Sequence, residues 1–166
     1  MRLTTSLVLV TGALLTCYMS QVGGQSTPKV ERPPLEMQVV SRLGFDETVE
    51  KIKEAAIAEK YGVQGVHPLS QVLTDKGFPR ERLTIVEVCN PASATGALNN
   101  DIRSGLHMPC PLMVYEKEGV VHVMTFDTRT MATLYEGSTM TETGAAVYMA
   151  LRKILDSVDK FKGTAD

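Results

Sequence analysis

Apolar and polar positions alternate with period two in three places along the chain. They recur every three to four residues in two others, and these periods set the expected elements. Met37 to Leu43 alternates weakly and stops at Gly44, as a first strand would. Asp46 is placed to cap a helix whose Val49, Ile52 and Ala56 share one face, with Glu47 and Lys51 as an exposed pair and Gly62 as its left-handed terminator. Val63 to Leu69 reads as a short second strand, followed by an irregular or helical piece that ends at Gly77 and Pro79. Leu83 to Val88 is the clearest strand. Asn90 then serves as an N-cap with Pro91 in the first helical position, which predicts a short helix to about Leu98. Leu112 to Glu116 and Val120 to Phe126 form a hairpin turned at Lys117, Glu118 and Gly119. Asp127 caps a short helix. A long amphipathic helix closes the chain, with Thr139 and Glu142 as a capping box and Val147, Leu151, Leu155 and Val158 on one side. The order predicts an α+β domain, a mostly antiparallel sheet with helices on one face.

The first residues follow a different pattern. Arg2 precedes an apolar run from Leu7 to Leu15, followed by small and polar residues through Val22, Gly23 and Gly24, the layout of a secretory signal peptide over residues 1–24. The run reaches at most Met19, short of the roughly 20 apolar residues of a membrane span. Leu14, Leu15, Thr16, Cys17 also resembles a lipobox, but Thr16 is bulky for that motif, so a lipid anchor on Cys17 is the weaker reading. Residues 25–35, with Pro28, Pro33 and Pro34, form a tether. The domain occupies residues 36–161, and 162–166 are a tail. The expectation is export, to a periplasm or beyond the cell.

Composition narrows the partners. Seventeen Lys and Arg against 19 Asp and Glu, mixed along the chain, leave no basic stripe for nucleic acid or an anionic membrane, and Trp is absent. A small molecule or another protein remains. Of three cysteines, Cys17 leaves with the leader, and Cys89 and Cys110 stay.

Each of these two thiols sits beside proline at a strand end: Val88, Cys89, Asn90, Pro91 and Met108, Pro109, Cys110, Pro111. With the Val-rich strand before them and the Val-rich hairpin after, these segments resemble the DUF302 family over roughly Glu36 to Phe161. The resemblance implies a TATA-binding-protein-like fold, a curved antiparallel sheet with two main helices, often paired as a homodimer. It implies no activity. Met108 stands where the family more often has Leu, and Thr95 and Gly96 lie inside the short helix.

Three readings of the thiols stay open. A disulfide would close a loop of some 20 residues, worth about 3 kcal/mol. Cys89, ahead of a helix N-terminus, could instead be a reactive thiolate, although no C-x-x-C pair or neighbouring base accompanies it. The third is metal or haem ligation, with His107 and His122 as candidate ligands. If Glu116 faces Val120, Cys110 faces Phe126 and His122 lies about 13 Å along the strand, too far to share one zinc ion with Cys110. His67, before Pro68, reads as a surface residue. The methionines show no repeated spacing and read as packing. Glu87 and Glu116 are either a buried acid pair or two wet-face residues. The leading expectation is a binding module for a small ligand or a cofactor such as haem, not a turnover enzyme, with its site where Cys89, Asn90, Pro91, Pro109 and Cys110 converge. A thiol-disulfide redox protein and a structural subunit of a larger assembly are the alternatives.

Overall fold

Every second residue of three successive strands is withdrawn from water, and this alternation fixes which face of the sheet carries the core. The strands are β3 (Leu83–Cys89), β4 (Cys110–Lys117) and β5 (Val120–Phe126), and Val86, Val88, Leu112, Val114 and Val123 are fully buried. A computed structural model supplies the coordinates and describes residues 35–162. The expected signal peptide, Cys17, nearly all of the expected tether and residues 163–166 lie outside the described residues.

With β1 (Glu36–Val40) and β2 (Gly62–His67) the strands make one sheet in the order β1-β5-β4-β3-β2, antiparallel throughout. Two helices cover one face: α1 (Phe45–Ala58) through Val49, Ile52 and Ala56, and α5 (Ser138–Asp156) through Val147, Leu151 and Leu155. Each fully buried Leu or Ile contributes on the order of 1.5–3 kcal/mol. The fold is therefore the expected α+β class with its helices on one side. Between these lie α2 (Leu69–Asp75), α3 (Pro91–Asn100), α4 (Met131–Leu134) and single 3-10 turns at Ile102–His107 and Thr128–Thr130.

Several local expectations are corrected. Gly44, extended and without a side-chain cap, precedes α1, so Asp46 is already helical. Its carboxylate pairs instead with Arg82, whose guanidinium holds it below its ordinary range. Lys51 bonds Glu54 at 3.1 Å rather than Glu47. The left-handed residue after α1 is Lys60, φ 65°, while Gly62 opens β2. Gly137 precedes α5, so Thr139 lies inside the helix and the Thr139–Glu142 capping box is not formed. At the hairpin, Glu118 (φ 53°) and Gly119 (φ 77°) form a two-residue turn, which pairs Lys117 with Val120 and Glu116 with Val121.

That one-residue difference in register matters because neighbouring side chains point to opposite faces. His122 faces Tyr115 on the side away from the helices, whereas Cys110 belongs to the alternating set of Leu112 and Val114 beneath them. Glu87 and Glu116 fall on opposite faces and form no acid pair. Glu87 bonds His67 at 3.0 Å.

Candidate functional site

Asn90 organises the turn from β3 into α3. Its side-chain oxygen accepts the Ser93 N–H at 3.0 Å, which satisfies one unpaired amide of the first turn, and its Nδ2 donates to the Lys60 carbonyl at 3.1 Å. Pro91 takes the first helical position. The chain then passes through the 3-10 turn and returns at Cys110, which pairs with Val88, one residue before Cys89. The two cysteines thus sit at adjoining strand ends without being directly opposed. Both thiols are free, so the disulfide expectation is not met in this structure.

A cavity of about 60 Å³ lies where α3, the first half of α5 and the ends of β3 and β4 meet. It is bounded by Cys89, Asn90, Cys110 and Pro111 on the strand side, by Ala94 and Ala97 of α3, and by Met140, Val147 and Leu151 of α5. Tyr61, His107, Met108 and Met131 close the remaining sides. The wall is almost wholly apolar. At about 10–15 Å³ for each water-sized group, there is room for roughly four to six heavy atoms.

A glycine brings α5 close to the 3-10 turn at Thr128–Thr130. Gly144 of α5 lies against the Thr128 backbone: a β-carbon there would fall 2.6 Å from the Thr128 oxygen, and the Thr128 hydroxyl donates to the Gly144 carbonyl at 2.8 Å. Burial pushes the Cys110 thiol up to about 11, with the neighbouring Cys89 adding to the shift. Burial likewise pushes Tyr61 up to about 12. At neutral pH Cys110 and Tyr61 therefore line the cavity uncharged.

The sequence-predicted residues separate into three places. Cys89, Asn90 and Cys110 reach the cavity. Pro91 starts α3 outside it, and Pro109 borders an outer groove of about 390 Å³ with Glu87 and Leu106. His107, with Phe126, forms part of both walls. The third place is the far face of the sheet, where His122 stacks on Tyr115 with ring centres 5.0 Å apart and its Nδ1 is 3.0 Å from Gln38 Nε2.

His107 is held by two contacts. It stacks on Phe126 at 5.7 Å, and its Nε2 lies 3.0 Å from the Tyr135 hydroxyl. That hydroxyl donates to the Arg103 carbonyl at 3.1 Å, so the imidazole N–H must donate to it. The 60 Å³ cavity itself is too small for a haem, being far below the 300–1,000 Å³ of pockets for larger ligands, and His122 does not line it. Among the described residues no three of His, Cys, Asp and Glu gather closely enough to hold a metal ion.

Sequence reasoning had Met108 at the rim of the site but missed Met131, Met140 and the small residues Ala94, Ala97 and Gly144. The alanines and Gly144 were a readable sign of close packing. Met131 and Met140 carried no such sign, because they come from two separate segments.

The model of the family described as "Domain of unknown function DUF302" matches residues 37–158. The chain belongs to this family. A solved structure of an uncharacterised conserved DUF302 protein from Bacillus stearothermophilus is 26% identical, with a TM-score of 0.72, covering 76% of this chain and 99% of that one. Among curated proteins none matches this chain. In this DUF302 chain no helix among the described residues is long and apolar enough to cross a membrane.

Proposed function

We propose that this DUF302 domain is a binding module for a small, weakly polar ligand held in the cavity between α3, α5 and the ends of β3 and β4, and that its leader carries it out of the cytoplasm. The observation that supports this reading is the cavity itself. Native interiors are packed to crystal-like density with few voids larger than a water, whereas this one leaves room for several heavy atoms behind an apolar wall. Water gains little from such a wall, so displacing it in favour of an apolar group is favourable.

Dimethyl sulfide, with three heavy atoms, is a suitable probe. Titrated into isotopically labelled protein, it should shift the amide resonances of Ala97, Met140 and Leu151 saturably. Ala94→Leu should fill the space and abolish the shifts while leaving the fold intact. Shifts that never saturate, or that persist in the variant, would refute the reading.

A second reading follows from the two free thiols at adjoining strand ends. As a redox pair, Cys89 and Cys110 would lose two electrons and two protons to an oxidant and close a disulfide. Diamide followed by mass measurement should then give a monomer lighter by two hydrogens. Cross-linked dimers in its place would count against an intramolecular pair.

A further inference from the structure

One row of residues crosses the end of the sheet on the face that no helix covers. Glu87 of β3 pairs with Pro111 of β4, and Leu112 pairs with Thr125, so Pro111 stands beside Phe126 of β5. Neighbours in such a row point to the same side of the sheet. Leu106, His107, Met108 and Pro109, at the end of the 3-10 turn and just beyond it, supply the opposite wall. The groove between them holds about 390 Å³, within the 300–1,000 Å³ of small-molecule sites. Leu106 is 85% exposed, an apolar side chain left uncovered at the groove's edge. Among the described residues that border the groove there is one carboxylate, Glu87, and no lysine or arginine. The Glu87 side chain is only 33% exposed, and its Oε2 lies 3.0 Å from His67 Nε2. That is its one side-chain bond among the described residues, so Oε1 is unpartnered. Gly65, opposite Glu87 on β2, leaves room for the pair: a β-carbon there would fall 2.7 Å from His67 Nε2 and 3.2 Å from Glu87 Oε2. A glycine weakens a strand and marks a place where something approaches the backbone closely.

We infer that this groove binds an organic cation, an ammonium group carried on an apolar body, with the ammonium on Glu87 and the body along Pro111, Phe126 and Leu106. A carboxylate partly withdrawn from water, with one imidazole as its partner, gains from a cation that donates to its free oxygen. The same carboxylate repels an anion, and a neutral ligand leaves it without that bond. Strands lie about 4.8 Å apart, so Phe126, two strands from Glu87, is about 10 Å away, the span of a ring on a short alkylammonium chain. The groove shares His107, Met108, Pro111 and Phe126 with the wall of the inner cavity, but the carboxylate belongs to the groove alone. Its occupation does not depend on whether the inner cavity is filled.

The test titrates 4-phenylbutylamine into the isotopically labelled full chain, beside 4-phenylbutanol and 4-phenylbutyrate, which share its apolar body and differ in charge. The amine should shift the amide resonances of Glu87, Leu106 and Met108 saturably, and the alcohol and the acid should bind at least tenfold more weakly. Glu87→Gln, which keeps the shape of the side chain, should weaken the amine at least tenfold and leave the alcohol unchanged, because it removes a charge-assisted hydrogen bond and little else. Leu106→Ala should weaken the amine several-fold, and Glu116→Gln, on the opposite face, should not. Equal binding of the acid, a Glu87→Gln variant that binds the amine as tightly as wild type, or no saturable shift would overturn the inference. Shifts confined to Ala97, Met140 and Leu151 would overturn it too, since they would place the amine in the inner cavity. If the groove fails and dimethyl sulfide still saturates the cavity, the cavity reading stands without it.

Discussion

Gly144 has no room for a side chain. Its missing β-carbon would lie 2.6 Å from the Thr128 backbone oxygen, which cannot swing aside as a flexible side chain would. Gly144→Ala should therefore cost about 1–3 kcal/mol, read as a lower urea midpoint at unchanged slope. Asp127 gives a second test at this scale. It is buried, accepts the Arg129 N–H at 3.0 Å and pairs with that guanidinium, which holds its carboxyl below the ordinary range near 3.8. A lowered folded pKa means the contribution is present above the unfolded value and is lost as pH falls through the folded one. Asp127→Asn should remove that part of the acid destabilisation below about pH 4, and Asp127→Ala should cost about 1 kcal/mol at neutral pH through the lost cap. Thermal melts across pH 2–7 check both. At this scale the sequence was a partial guide. Asn90 and Asp127 were legible as caps because each precedes an apolar helical pattern. Asp46 and Thr139 are also capping residue types but lie two positions after the caps, Gly44 and Gly137.

Among the elements, the β4–β5 hairpin was read with the right strands and a register one residue out. A Lys-Glu-Gly loop suggested three turn residues, but Lys117 pairs with Val120 and only Glu118 and Gly119 turn. Because both have positive φ, their side chains decide the cost of the turn. Gly119→Ala should destabilise by about 1 kcal/mol, whereas Glu118→Asn should stabilise by a few tenths, since Asn tolerates the left-handed region. Chemical denaturation of the two variants should move in opposite directions. The slip also shows why the histidines were hard to place. Period-two alternation carries His122 to whichever face the register dictates, and the correct register puts it against Tyr115, away from the cysteines. His107 was placed near the site by its closeness to Cys110 in the chain. Its bond to Tyr135 depends on a residue 28 positions away, which no local pattern encodes.

Over the whole molecule, the fold class was legible because the three central strands and the two long helices carry a strong period. The cavity was not. It is made by elements that meet only after folding, and what remains empty between them depends on volumes such as Ala97 against Met140 rather than on any repeat. Two claims belong to this scale. The leader predicts that chain recovered after export begins at Gln25, as an intact mass would show; a chain that keeps Met1 would contradict the exported reading. The central claim is that the space beneath α3 is a dry, accessible binding site, and a crystal structure under xenon pressure tests it most directly. Xenon density bounded by Ala97, Met140 and Leu151 is the predicted result. Ordered waters filling that space, or a collapsed wall with no xenon, would contradict it.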